Sequence, residues 1–150
     1  MAIFLNNKAG FKLQSSTSGS VTYQDLSDHV ASITITRKFD ELDISAMGDQ
    51  GHRFIRGLES STIAVEFFND DEANSVLATL QSQWGTNAAF KIVQTQSNGT
   101  ATISPTNPLY SGTLLVNNTT DVAGAVTDVS KQSITFTVSG TITVATSGTW

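Results

Sequence analysis

The sequence predicts an all-β domain with one flanking helix. Three observations carry that prediction. Apolar and hydroxyl side chains alternate with period two along most of the chain, the mark of strands with one buried face. One segment, about residues 70–84, switches to spacings of three and four. Only 14% of the 150 residues are charged, while Ser, Thr, Asn and Gln are plentiful. That balance suits strands whose outer faces are polar without being ionic, or a surface that copies of the chain cover.

Taken in order, Phe11-Lys12-Leu13 opens the sheet, and residues 15–20 form a short Ser/Thr/Gly linker behind it. In Ser32-Ile33-Thr34-Ile35-Thr36 the isoleucines point one way and the hydroxyls the other. Ile63, Val65 and Phe67 repeat this, with Thr62, Ala64 and Glu66 between them. Phe90 with Ile92, Leu114 with Val116, and Ile142 with Val144 are shorter examples. Ile134, Phe136 and Val138, separated by Thr135 and Thr137, form the cleanest run. Seven or more strands are expected.

The helical segment places Ala73, Val76, Leu77, Leu80 and Trp84 on one stripe. Asn69 or Asp70 is the expected N-cap, and Asp70, Asp71 and Glu72 stand where a helix dipole favours negative charge. Gly85 is the expected stop. Such a helix should lie across the sheet and close one end of the core.

Two stretches read as loops. Residues 40–57 are charged and broken by Gly48, Gly51 and Gly57, yet carry Ile44, Met47, Phe54 and Ile55. A loop longer than about 12–15 residues is normally functional or disordered. The apolar content argues against disorder, so this segment should be buried against a partner. Residues 117–127 are polar, with Gly124 among them. No internal repeat at solenoid or propeller spacing is present.

Composition sets further bounds. A chain of 150 residues fits one domain and buries roughly 68–70% of its unfolded surface. With no cysteine, disulfides, Cys-based zinc sites and cysteine nucleophiles are excluded. Thirteen acids against eight bases give a formal charge of −5. The bases are scattered, so the basic patch that displaces counterions from nucleic acid is missing. Ile3-Phe4-Leu5 is too short for a signal-peptide core, and no run approaches the roughly 18 apolar residues of a membrane span. Asn98-Gly99-Thr100 and Asn118-Thr119-Thr120 match the glycosylation pattern but read as polar turns.

The chemistry-bearing residues form no recognisable catalytic constellation. His29 and His52 are isolated, whereas a zinc site needs three or four ligands at local spacing. Asp70, Asp71 and Glu72 have a structural role at a helix start. Asp40, Glu41 and Asp43 open the long loop, where solvated or interface charge is the plainer reading than paired catalytic carboxylates. No G-x-S-x-G elbow occurs. Gly48-Asp49-Gln50-Gly51 lacks the lysine of a phosphate loop, and no EF-hand pattern is present. The expectation is a protein that is not an enzyme, with no catalytic, cofactor or metal residues.

The order of segments carries a resemblance. Phe11-Lys12-Leu13 is followed by Asp25-Leu26-Ser27-Asp28-His29-Val30, the strand from Ile33 to Arg37, Asp40-Glu41-Leu42-Asp43 and Ala46-Met47-Gly48-Asp49. Then come Gly51-His52-Arg53-Phe54-Ile55, Gly57-Leu58, Val65-Glu66-Phe67, Asn107-Pro108-Leu109-Tyr110 and the strand at 133–138. Over about residues 11–146 this series resembles the siphophage-type major tail proteins. The resemblance implies a tail-tube-type β-sandwich or barrel with one flanking α-helix at about 70–84 and a long interface loop at about 40–57. It implies a single domain over 1–150, with an N-terminal arm at 1–20 and a C-terminal strand or tail at 140–150.

In that family, subunits form rings, typically hexameric, that stack into the conduit for DNA ejection. The implied partners are other copies of the chain, together with tape-measure, tail-terminator and distal tail proteins. DNA is in passage only, and no membrane or cofactor is involved. The implied location is the virion, after assembly in the host cytoplasm. Leu42, Ile44, Met47, His52, Arg53, Phe54, Ile55 and Arg56 are the expected contacts between subunits or rings. Acidic residues facing the lumen would repel phosphates, and Asp40, Glu41, Asp43, Asp49 and Glu66 are the candidates. The N-terminal residues and the C-terminal strand are expected to order on assembly. Competing readings are the tube of a related secretion or bacteriocin machine, and a β-sandwich module binding carbohydrate or a receptor. The second lacks an aromatic platform, because the tryptophans are only Trp84 and Trp150.

Overall fold

A computed structural model describes residue 3, residues 7–16 and residues 19–150. Much of the expected N-terminal arm and part of its linker therefore lie outside the described residues. Nine strands and one α-helix are described: β1 (Gly10–Gln14), β2 (Tyr23–Asp25), β3 (Val30–Thr36), β4 (Phe39–Asp43), β5 (Phe54–Glu59), β6 (Thr62–Phe68), α1 (Val76–Ser82), β7 (Asn87–Val93), β8 (Leu109–Leu115) and β9 (Lys131–Ala145). Seven strands form one antiparallel sheet in the order β2-β1-β7-β8-β9-β6-β3, and β4 and β5 form a separate pair. The all-β class with one helix is thus observed.

The fifteen-residue β9 is the strand that joins the two halves of the sheet. Its first half pairs with β6, Ile134 opposite Val65 and Phe136 opposite Ile63. Its second half pairs with β8, Val138 opposite Leu114 and Val144 opposite Tyr110. Between Ser139 and Thr143 the register slips, where Gly140 takes a φ of +88° that an L side chain rarely adopts. A bulge of this kind bends a strand, and here it lets one sheet curl over its own apolar face. The rings of Phe11 on β1 and Phe67 on β6 consequently meet at 5.7 Å, although three strands separate β1 from β6 in the sheet order.

The alternation read from sequence builds this core. Ile63, Val65, Phe67, Phe90, Ile92, Leu114, Ile134 and Phe136 are all buried in one cluster with Phe11, Leu13 and Leu26. Beyond Gly140 the alternation is looser: Ile142 is buried, but Val144 is partly exposed. Residues 140–145 are already paired strand in the single chain. Trp150 lies beneath Lys12 and against Gly10, where an added Cβ would stand 2.7 Å from the indole. The C-terminal segment thus has partners within the chain itself, β8 and the β1 residues Gly10 and Lys12.

The helix corrects two expectations. It spans only Val76–Ser82, not about 70–84, and Ser75 rather than Asn69 or Asp70 occupies the N-cap, without a capping side-chain hydrogen bond. Residues 70–75 are turn, with Asn74 at a φ of +64°. Two local bonds hold that turn: the Glu72 N–H donates to the Asp70 carboxylate at 2.9 Å, and the Ser75 hydroxyl donates to the Asp70 carbonyl at 2.7 Å. These Asx and Ser contacts compete with helix nucleation, so the acidic residues never enter the first turn. The buried stripe is Val76, Thr79, Leu80 and Gln83, while Ala73 and Trp84 face solvent. Val76 and Leu80 belong to the core cluster, as a helix closing one end requires.

Candidate assembly surfaces

The expected long loop at 40–57 is instead largely a β-hairpin. Leu42 pairs with Ile55, Glu41 with Arg56 and Asp43 with Phe54. The sequence hid it because β4, Phe39-Asp40-Glu41-Leu42-Asp43, does not follow the apolar alternation of a half-buried strand. Both faces of this two-stranded sheet are open instead. Phe39, Leu42, Ile44, Phe54, Ile55 and Leu58 are all exposed, and Met47 at the tip is fully so. The two strands make their substantial contacts with each other, and among the described residues no third strand joins their sheet. An isolated two-strand hairpin is marginal in water, so local chemistry must hold it.

That chemistry is visible. The Ser45 hydroxyl, and after it the Ser45 N–H, hold the Asp43 carboxyl below its usual range, and the His52 ring at 2.9 Å adds to this. Asp49 accepts the Ala46 N–H at 2.8 Å across the tip. Arg56 covers the Phe39 ring at 3.6 Å, a cation–π contact of about 0.5–1 kcal/mol at an exposed site. At the base, Glu59 accepts the Ser61 hydroxyl at 2.7 Å and the Ile142 N–H at 3.2 Å, tying the hairpin to β9. The Ser61 hydroxyl, then the Ile142 N–H, then the charges of Arg37 and Arg56 keep its carboxyl low.

Of the expected interface residues, Leu42, Ile44, Met47, His52, Arg53, Phe54, Ile55 and Arg56 are all brought together on this hairpin, and all are exposed. Phe39 and Leu58 join them and were missed, Phe39 because it precedes the presumed loop. The expected lumen acids divide. Asp40, Glu41, Asp43 and Asp49 sit on the hairpin, whereas Glu66 sits on β6 of the main sheet, 3.7 Å from Lys131.

Glu66 belongs to a second surface. Residues directly opposite in an antiparallel ladder share a face. Across β3, β6 and β9 the register aligns Ser32, Glu66 and Ser133 in one row, then Thr34, Ala64 and Thr135, then Thr36, Thr62 and Thr137. The reverse face of these strands is the core. Half of the β-sandwich therefore presents a field of hydroxyls with one acid and no base among these positions. β3 is an edge strand of that field.

A third surface was read only as a polar loop. Between β8 and β9, Val122, Val126 and Val129 are strongly exposed. Gln132, itself buried, accepts the Thr120 N–H at 2.9 Å and donates to Asn69 at 2.6 Å, and Asn69 donates to the Ser130 hydroxyl at 2.8 Å. Its valines fall at spacings of four and three, a helical period, yet the segment forms no helix.

Among the described residues no group of three or more His, Asp or Glu could hold a metal ion. No helix among them is long and apolar enough to cross a membrane. His29 and Asp70 form a structural pair at 2.7 Å that joins the 3₁₀ turn Ser27–His29 to the turn before α1.

No protein-family model and no curated protein matches the chain. Two solved structures share its fold. A chain from the tail of an empty gene transfer agent particle, computed with helical refinement and C6 symmetry, aligns with a TM-score of 0.62 at 15% identity, covering 95% of this chain and 98% of that one. A chain from the virion of a native gene transfer agent particle aligns with a TM-score of 0.59 at 11% identity, covering 90% and 95%. Over nearly its whole length this chain therefore shares its fold with a chain of a gene transfer agent tail.

Proposed function

We propose that the chain is a structural subunit of a phage-type tail, and specifically of the tail tube. Copies would form rings, hexameric in keeping with the C6 symmetry of the similar tail, and the rings would stack into a conduit for DNA. The observation that carries this reading is the hairpin. A folded domain that leaves seven large apolar side chains bare on a two-stranded projection needs a partner to cover them. A fold shared almost end to end with a chain from a symmetric helical tail makes another copy of the chain the partner of choice.

In this reading the hydroxyl face of β3, β6 and β9 lines the bore. Ser and Thr are neutral and carry no counterion-releasing charge, so they slide past phosphates without binding them. Glu66 and the hairpin acids Asp40, Glu41, Asp43 and Asp49 add repulsion. Tape-measure, terminator and distal tail proteins would be the further partners. No step of chemistry is required of the protein.

The test is electron microscopy of the purified chain at rising concentration, paired with sedimentation velocity. Rings or hollow tubes that lengthen with concentration are expected. A compact monomer at every concentration would overturn the reading and favour a monomeric binding module.

A further inference from the structure

Resting on the tube reading, we infer that the loop between β8 and β9 is the socket into which the hairpin tip of a second copy of the chain docks. The two surfaces stand at opposite ends of one sub-sheet. The hairpin leaves the body at the Thr36 and Thr62 ends of β3 and β6, where the Ser60 N–H closes on the Lys38 carbonyl at 2.8 Å. The loop is fastened at the other end of β6, where the Asn69 N–H donates to the Ser130 carbonyl at 2.9 Å. Seven residues of β6 separate them, roughly 20 Å at strand rise. Surfaces that complement each other from opposite ends of a subunit repeat head to tail and propagate.

The two shapes and charges match. The tip offers a knob, Met47, unbranched and adaptable. The loop offers a concavity of about 510 Å³ bounded by Gly124, Thr127, Asp128, Val129 and Lys131. Among the charges of the hairpin, Asp49 and Arg53 lie nearest its tip, and the loop concavity is bounded by Asp128 and Lys131, so an antiparallel pairing of Arg53 with Asp128 and of Asp49 with Lys131 is available at the rim. The two ends of the loop, at Thr120 and Ser130, are also fastened to the body before any partner arrives, by the Gln132 and Asn69 bonds, which limits the ordering entropy lost on docking.

The chain has no cysteine, so paired cysteines report proximity directly. The double variant Met47→Cys with Val129→Cys, oxidised after assembly, should give a non-reducing gel ladder of dimer, trimer and higher species. A mixture of the two single variants should stop at the dimer. Tubes that assemble normally but give no ladder would overturn the socket while leaving the tube reading intact. So would Met47→Cys alone linking to itself as fast as the mixture does. A parent chain that forms no polymer would overturn both.

Discussion

At the scale of single residues, polar side chains fix what the apolar pattern leaves open. Gln132 is the clearest case, since its buried amide serves the Thr120 N–H and Asn69 together. Gln132→Ala should cost about 1–3 kcal/mol, the penalty of leaving buried polar groups unpaired, read from the midpoint of chemical denaturation. Asp43, Glu59 and Asp70 behave alike under acid. The carboxyl of Asp70 is held low first by the Glu72 N–H and then by His29. A carboxyl depressed in the folded state contributes stability above its unfolded value, 3.8 for Asp and 4.5 for Glu, and loses it as pH falls through the folded value. Stability should therefore decline below about pH 4.5, and Asp70→Asn should flatten part of that decline in a series of melts from pH 7 to pH 3. The effect of each group is small because all three are exposed to solvent screening.

At the scale of elements, legibility followed burial. β6 and the first half of β9 were readable because each buries one face completely, so Ile63, Val65, Phe67, Ile134 and Phe136 had to alternate with polar neighbours, and β3 followed with Ile33 and Ile35 partly buried on the same side. β4 and β5 escaped because neither face is covered in the single chain, and no alternation is imposed on Phe39–Asp43. The same segment nonetheless stood out in the sequence, since Met47, Phe54 and Ile55 had no place in an ordinary loop, and all three lie exposed on the hairpin. The helix was overextended because Asp70-Asp71-Glu72 fits a capped first turn equally well as an Asx turn, and composition does not separate the two. The three valines between β8 and β9 were passed over: they fall at a helical spacing of four and three, but in a stretch this short and polar that spacing builds no helix.

Gly57 supplies a test at this scale. A Cβ there would stand 2.8 Å from the Asp40 carbonyl oxygen, a backbone atom that cannot swing aside. Gly57→Ala should separate β4 from β5 while leaving the core cluster intact. The expected result is an unchanged denaturation midpoint for the body, lost amide protection across residues 39–59 in hydrogen exchange, and failure to form tubes.

At the scale of the whole molecule, two properties combine in one sheet: a sealed apolar side and a hydroxyl-rich side whose charges are Glu66 and the neighbouring Lys131. If the hydroxyl side lines the bore, introducing bases there should act on passage rather than on folding. Thr34→Lys with Thr135→Lys should assemble into tubes of normal length yet retain DNA, seen as slowed ejection that rising salt relieves, because phosphate contacts weaken as salt rises. Equal ejection rates for parent and variant at low salt would place this face elsewhere. The long strand β9 carries a different consequence, one for the order of events during synthesis. It is the last strand of the described chain and the one shared by both halves of the sheet, so neither half can close until residues 131–145 have left the ribosome. Until then β6 and β8 each lack a neighbour, and the nascent chain exposes unpaired edges of the kind that invite aggregation. The sheet is thus complete only once translation has passed β9.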